Sequence, residues 1–409
     1  MNATQLLEHF DRLSEAPGAV ARLRRFILDL AVRGKLVAQD ANDEPAEKLF
    51  QKVKANQARL VKSGLIKKSA APDVVEADQQ PFVIPQNWAW CRLGDVGDWG
   101  SGSTPPRGSS EYYGDDITWL KSGELGDSLT LTGSSERVTS LALQKCSFRL
   151  NQPGDVLIAM YGATIGKLAI LAEEAVTNQA VCGCTPFDGV SNRYLFLFLH
   201  SRRADFHNQS EGGAQPNISK VKILTSAFAL PPLAEQHRIV AKVDVLMALC
   251  DQLEAAQQER ERRRDRLAAA SLQRLNQPAA DTTPEVQREH ARFHLQHLPR
   301  LTTRPEHIKA MRQTVRSLAI CGRLVPQDAR DGTASEFLLK VEEDRARLAK
   351  AGEIGAAKPL ESIAPDAAPF PLPSGWEWAR FGVLINHSDA GISPKTEGFS
   401  RSGDHWGGC

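Results

Sequence analysis

Apolar residues recur along Leu230–Leu275 at alternating steps of four and three: Ile239, Val243, Leu246, Cys250 and Leu253. That spacing predicts a helical seam of coiled-coil type rather than a broad core-facing stripe. Pro231 and Pro232 can open a helix, and nothing breaks the pattern before Pro278. The predicted helix has about 43 residues and a length of roughly 60 Å at ~1.5 Å per residue. Such a helix outruns any one small domain, so a partner helix is expected. Between Gln257 and Arg266 the seam turns polar, with Arg260, Arg262, Arg263, Arg264 and Arg266 interleaved with Glu259, Glu261 and Asp265. This fits a solvated face laced by pairs such as Glu259–Arg263, with a phosphate-contacting edge as the sharper alternative.

Upstream, Leu6, Leu7, Phe10 and Leu13 predict a short amphipathic helix over residues 1–15. A second helix follows over 19–32, with Val20, Leu23, Phe26, Ile27 and Leu30 on one side and Gly34 as its stop. A third runs from Pro45 to Gly64, and residues 67–80 read as a polar linker. From Pro81 the texture changes to Gly- and Ser-rich turns between apolar runs of strand length: 117–120, 155–161, 168–171 and 176–182. The run 193–199 fits a helix or a strand equally. Glu211-Gly212-Gly213 reads as a loop, and 223–230 as a strand leading to the double proline.

The opening of the chain then returns. Gly34-Lys35-Leu36-Val37 recurs as Gly322-Arg323-Leu324-Val325, and Gln39-Asp40 as Gln327-Asp328. The block from Ala58 to Ile66 recurs from Ala346 to Ile354, and Pro81-Phe82 through Trp88-x-Trp90 recurs as Pro369-Phe370 through Trp376-x-Trp378. Every pair is offset by 288 positions, which marks a duplication. Six regions follow: helical 1–80, β-rich 81–232, a long helix 233–275, a connector 276–304, a second helical region 305–368, and the start of a second β-rich domain at 369–409. The fold class is α+β. About thirty residues follow Trp378 and they drift from the first copy, so the second unit reads as cut short by truncation or a shifted frame.

Composition narrows the function little. Net charge is +1, with 13 basic and 11 acidic side chains over 1–80 and 12 and 14 over 81–232, so charge alone does not argue for a nucleic-acid partner. The 7 cysteines are odd in number and irregular in spacing, which fits a reducing, cytoplasmic setting. No apolar run is long enough to span a membrane, and the first residues lack the features of a signal peptide. Gly162-x-x-x-Gly166-Lys167 is one residue short of a phosphate loop and continues with Leu168, so it reads as a turn. His290, His294 and His297 could approach a metal, but no H-E-x-x-H pattern accompanies them, and Cys182 and Cys184 have no second pair. Ser219-x-x-Lys222 stands without partners, and no Asn/Asp-Pro-Pro-aromatic methyltransferase site occurs. No nucleophile, base and oxyanion donor assemble, so a non-catalytic chain is expected.

Leu230-Pro-Pro-Leu-Ala-Glu235-Gln236-His-Arg-Ile239-Val, with Asp244 and Asp251-x-Leu253-Glu254 after it, resembles the specificity subunit of type I restriction–modification enzymes. Trp88-x-Trp90, Gly102-x-Thr104-Pro105, Ile117 to Leu125, Gly154 to Ile158, Asn178-Gln179-Ala180 and Gly213 to Ser219 resemble that family's target recognition domain. The resemblance implies recognition domains that each read half of a split DNA site, separated by long antiparallel helices that dock methyltransferase subunits. It implies that S-adenosylmethionine, ATP and Mg are used by partner subunits, including a restriction subunit, and that this chain binds no cofactor. The candidate DNA-binding residues, through phosphate or base-edge contacts, are Lys121, Ser122, Glu124, Tyr161, Thr164, Asn178, Gln179 and Asn217. Trp88, Trp90 and Trp119 are expected in the core. The seam Ile239, Val243, Leu246, Cys250 and Leu253, and helix 19–33, are the candidates for subunit contact, with a homodimer through the long helix as a further expectation. The rival is a scaffold that binds methyltransferase subunits without reading DNA, and a methyltransferase acting alone is a distant third.

Overall fold

A computed structural model of the chain describes residues 16, 18–67, 74–210, 216–279, 281–355, 363 and 367–385, with backbone alone at 399–402 and 405–408. The expected helix over 1–15, the Glu211–Gly213 loop and the final GFSRSGDHWGGC stretch lie wholly or largely outside that description. The fold is α+β and divides into two compact units, Met1–Gln258 and Glu259–Cys409.

In the first unit, helices α1 (Ala19–Val32) and α2 (Ala46–Lys62) precede the β-rich region. There β1 (Ala89–Arg92), β2 (Gly97–Ser101), β3 (Tyr113–Leu120), β4 (Ser128–Leu131) and β5 (Arg137–Val138) lead to the short helix α3 (Ser140–Lys145). Then come β6 (Val156–Ala159), β7 (Leu168–Leu171), β8 (Ala175–Thr177) and β9 (Val181–Pro186), helices α4 (Asn192–Ser201), α5 (Arg203–Asn208) and α6 (Lys220–Thr225), and β10 (Ala227–Leu230). The strands form a five-stranded sheet in the order β2-β9-β6-β7-β4, a three-stranded sheet β5-β3-β8, and an antiparallel ribbon β1-β10. The ribbon pairs the first strand of the region with its last, Trp90 opposite Ala229, and so closes the domain on itself.

Two sequence expectations change here. The apolar run 176–182 is two strands, β8 and β9, because Asn178–Ala180 turn the chain from one sheet into the other. The stretch 223–230 begins as helix α6, capped by the Ser219 hydroxyl, and only its end is a strand. The ambiguous run 193–199 is helical. It carries no amphipathic period because Tyr194 to Leu199 are all buried, with α1 on one side and strands β6 and β7 on another.

The long helix is present as α7 (Leu233–Asn276). In the first unit its seam is used inside the chain: Ile239, Val243 and Cys250 are buried, and Leu246 and Leu253 pack against the same core as Val20, Ile27 and Leu28 of α1. This corrects the reading of those five residues as a free subunit-contact seam. The physical reason is that α1 and α4 already cover that face. The helix head is fixed by polar groups. Glu235 is fully buried and accepts from Trp88 Nε1 at 2.9 Å and from Gln39 Nε2 at 2.6 Å. Gln236, also buried, accepts from the Ser191 amide at 2.8 Å and donates to the carbonyls of Pro231 and Gly189 at 3.0 and 3.2 Å. Arg238 grips Asp43 with both terminal nitrogens at 3.0 and 2.6 Å. Farther along, Arg24 of α1 meets Asp251 and Glu254. Burial pushes the Glu235 carboxyl above its usual range, while its two hydrogen bonds oppose that shift.

Gly34 makes the Trp88 contact possible. It ends α1 in the left-handed region (φ 66°), and a Cβ there would meet Pro85 and lie 3.0 Å from the Trp88 ring.

In the second unit, the 276–304 stretch contains helices α8 (Pro284–Gln296) and α9 (Leu298–Leu301), where the sequence reading saw only a connector. Then come α10 (Pro305–Ile320), α11 (Ala334–Lys350), the short α12 (Phe381–Leu384), and a hairpin of β11 (Phe399–Ser402) and β12 (His405–Gly408). Ala268, Ser271, Leu272 and Leu275 of α7 are buried here. The duplication is visible in local geometry. Gly322 repeats the left-handed turn of Gly34, and the Ala334 amide bonds Gly375 O as the Ala46 amide bonds Asn87 O. Trp376 Nε1 donates at 2.8 Å directly to Gln327, whereas in the first copy Trp88 and Gln39 both donate to Glu235. The covering differs: Val20, Ile27, Val32 and Leu49 are at most 5% exposed, while their counterparts Ile308, Val315, Ile320 and Phe337 are 42–62% exposed.

Among the described residues no group of three ligand-type side chains gathers, at His290, His294 and His297 or elsewhere. His294 instead packs on α7, its Nδ1 3.0 Å from Ser271 Oγ and its Nε2 buried without a partner among the described residues. Burial lowers its pKa. Among the described residues no helix is long and apolar enough to cross a membrane.

Two outcomes follow. Glu235→Ala strands the buried Trp88 N–H and removes an acceptor of the Gln39 amide, and should lower the unfolding free energy by about 1–3 kcal/mol. Urea unfolding followed by Trp fluorescence checks this, and an unchanged midpoint would contradict it. For His294, the unfolded imidazole takes up a proton near pH ~6.5 that the folded one resists, so stability present above that pH is lost as pH falls. Between about pH 7 and about pH 5.5 the thermal midpoint of the wild type should fall more than that of His294→Leu.

Candidate functional site

The sheet topology gathers five chain segments at one edge of the first unit. Strands β3 and β8 are parallel, with Leu120 beside Thr177, so both leave their sheet at the same end. The Asn178 amide bonds Leu120 O at 2.9 Å, which sets Lys121 next to Asn178. Strands β6 and β9 are antiparallel with Ala159 opposite Val181, and Met160 N bonds Ala180 O at 2.8 Å. Beyond it, Tyr161 bridges Asn217, and Ile218 N bonds Met160 O at 2.9 Å. Strand β2 delivers a fifth segment: Gly102 N bonds Val181 O at 3.1 Å and Ser103 N bonds Thr177 O at 2.8 Å. Residues 102–105, 121–125, 160–164, 178–180 and 216–219 therefore share one rim.

All eight candidates lie on this rim, but they are held differently. Gln179 and Asn217 are exposed, and Gln179 meets the Thr104 hydroxyl. Tyr161 is 37% exposed, and its carbonyl accepts from Thr164 Oγ1 at 2.8 Å. Asn178 caps its own turn, its Oδ1 accepting from the Ala180 amide at 3.2 Å. Lys121 pairs with Glu136 and lies 5.2 Å from the centroid of the Trp119 ring. Glu124 is spent on its loop: one oxygen accepts from the Lys121 amide at 2.7 Å, the other from Ser134 Oγ at 2.7 Å and Ser135 N at 3.2 Å. Ser122 sits in the short 3₁₀ turn between them, half-buried.

Trp88 and Trp119 are buried, as expected of core residues, and Trp119 Nε1 donates to Ser103 O at 3.2 Å. Trp90 is half-buried against Phe82 at 5.1 Å. Gly102 is required by crowding, since a Cβ there would sit on the Thr177 carbonyl. Three contributors escaped the sequence reading: Thr104 on Gln179, Arg137, which donates to the carbonyls of Asp115 and Asp116 behind the β3 loop, and Asp127, whose carboxylate accepts from the Leu168 amide at 3.1 Å. Thr104 lies in the Gly102-x-Thr104-Pro105 motif, but its contact with Gln179, like the roles of Arg137 and Asp127, emerges only from the strand pairing.

Chemically, the edge offers amides, hydroxyls and one paired ammonium, suited to hydrogen bonding with base edges or phosphates. The two cysteines of β9 are unsuited to redox or nucleophilic work. Cys182 and Cys184 are fully buried, and burial pushes the Cys182 thiol up to about 12.

Comparison with known proteins agrees with this geometry. The family described as the type I restriction modification DNA specificity domain matches residues 85–261. The type I restriction enzyme EcoAI specificity subunit of Escherichia coli is 32% identical over 396 residues, 94% of this chain and 65% of the relative. The EcoEI specificity subunit of Escherichia coli is 30% identical over 387 residues, 92% of this chain and 63% of the relative. The chain thus spans a little under two thirds of the length of these curated relatives. Among solved structures, the HsdS subunit from Thermoanaerobacter tengcongensis is similar at 23% identity and a TM-score of 0.36, covering 62% of this chain and 52% of that one. Residues 85–261, which hold the β-sheets, the closing ribbon and the helix head, match the type I restriction modification DNA specificity domain, and the chain is similar to type I specificity subunits over most of its length.

Proposed function

We propose that the chain reads the sequence of one half of a split DNA site through the rim formed by residues 102–105, 121–125, 160–164, 178–180 and 216–219. The observation that carries this is the convergence of polar side chains from five separate segments on one edge of a rigid double sheet. Loops on a sheet scaffold combine fixed spacing with freedom of side-chain identity, which sequence readout needs. Lys121, Ser122, Glu124, Tyr161, Thr164, Asn178, Gln179 and Asn217 are the proposed DNA-binding residues, with Lys121 assigned to phosphate and Glu124 to holding its loop. The exposed amides of Gln179 and Asn217 are the foremost, because an amide can pair bidentately with adenine.

The chain's part in this proposal is recognition without catalysis. Methyl transfer with S-adenosylmethionine and ATP- and Mg-dependent cleavage fall to methyltransferase and restriction subunits, and the setting is cytoplasmic. With the inner seam buried, docking of methyltransferase subunits falls to outward positions such as Leu23 and Phe26 of α1 and Val245 and Leu249 of α7, all exposed. The same outward α7 positions are where a homodimer contact would form.

Fluorescence anisotropy with duplexes selected by the protein tests the reading. Gln179→Ala and Asn217→Ala should each narrow the preference for the selected site over a single-base variant by roughly 1–3 kcal/mol. Lys121→Ala should weaken binding to all duplexes alike and lower the slope of log K against log salt by about 1. Equal affinity of the wild type for all duplexes would overturn the proposal.

A further inference from the structure

Two loops of the rim are tied together from behind by one side chain. Arg203, the first residue of α5, donates from Nε to Gly166 O at 2.7 Å and from a terminal nitrogen to the Asp127 carboxylate. Gly166 closes the loop that begins at Tyr161, and Asp127 closes the loop that begins at Lys121. Each loop is thus fixed at its start by a strand, β6 or β3, and near its end by the same guanidinium.

Both attachment points are specialised. Asp127 is the non-glycine residue with positive φ among those described, at 62°. That backbone state is unfavourable for an L-residue and is tolerated best by Asn and Asp outside glycine. It is held by a backbone bond from Asp127 N to Leu168 O at 2.9 Å and by the side-chain bond to Leu168 N. Gly166 has φ 75°, and a Cβ on it would lie 2.8 Å from Arg203 Cγ, so the arginine stem lies directly across it. A guanidinium is a rigid planar fork, so it fixes the spacing of two acceptors as a lysine cannot. Both partners are about one third exposed, where an ion pair adds little to global stability. Geometry is therefore the larger consequence.

We propose that Arg203 is a positioning residue for DNA discrimination: by holding Asp127 and Gly166 it sets the spacing between loops 121–127 and 161–167, and so governs which bases are read without contacting DNA. The inference rests on the DNA-reading function proposed above.

The full-length wild type, Arg203→Gln, Arg203→Lys and Asp127→Asn would each be used to select from a random-sequence duplex library. Affinities for the enriched duplex and its single-base variants would then be measured over a range of salt. Asp127→Asn keeps a residue that tolerates the backbone, so it reports on the clamp even where Arg203→Gln unfolds. The expected result is a loss of roughly tenfold in discrimination between the enriched duplex and its variants for Arg203→Gln and Asp127→Asn. The salt slope should stay unchanged, the thermal midpoint should stay close to the wild type, and Arg203→Lys should recover part of the discrimination. Unchanged discrimination in folded variants would overturn the clamp while leaving the DNA-reading function standing. A uniform loss of affinity across all duplexes would also overturn it, by showing a merely structural role. Failure of the wild type itself to enrich any sequence would overturn both.

Discussion

A buried carboxylate at the head of a long helix holds the first unit together. Glu235 takes hydrogen bonds from Trp88, just before strand β1, and from Gln39, which lies between the two N-terminal helices. Three parts of the chain far apart in sequence thus meet on two oxygen atoms. Burying a charge is costly unless its lone pairs are satisfied. The arrangement therefore tolerates few alternatives: the tryptophan must present its N–H, Gly34 must leave room for the ring, and the double proline must aim the helix. Gln236 adds the link to the start of α4 through Ser191. Sheets, closing ribbon and long helix then have one mutual orientation, and the edge where β3, β6 and β8 end inherits that rigidity.

The second copy shows what the lock requires. Gly322, Gln327 and Trp376 keep the local geometry, yet Trp376 bonds Gln327 directly and remains 43% exposed against 6% for Trp88. Equivalent residues with equivalent turns take different burial because the covering elements differ. Burial is a property of the assembled unit and not of the residues alone.

What the sequence made legible follows the same logic. Spacing of apolar residues revealed α1, α2 and α7, because each has one covered face. It could not decide α4, which is covered on several sides, and it missed α8, because the 276–304 stretch around it is rich in Pro, Thr and His and looked like a connector. It showed the seam from Ile239 to Leu253 but not its partner, since the chain's own α1 covers that face. The rim is the plainest limit. Lys121 and Asn178 become neighbours only through a parallel pairing of strands more than fifty positions apart, and Asp127 meets Arg203 across a larger gap. The motif Pro-Pro-Leu-x-Glu-Gln carried the family resemblance, while the role of its Glu and Gln as buried locks emerged only from the contacts.

Because the central claim concerns which surface touches bases, site-specific photocross-linking tests it most directly. A cross-linking amino acid would be placed at Gln179, at Asn217, and at the exposed Leu65 at the end of α2, and adducts with a selected duplex would be mapped to individual nucleotides. The account predicts adducts at defined bases from positions 179 and 217 and none from position 65. Adducts from position 65 with none from the rim would contradict it.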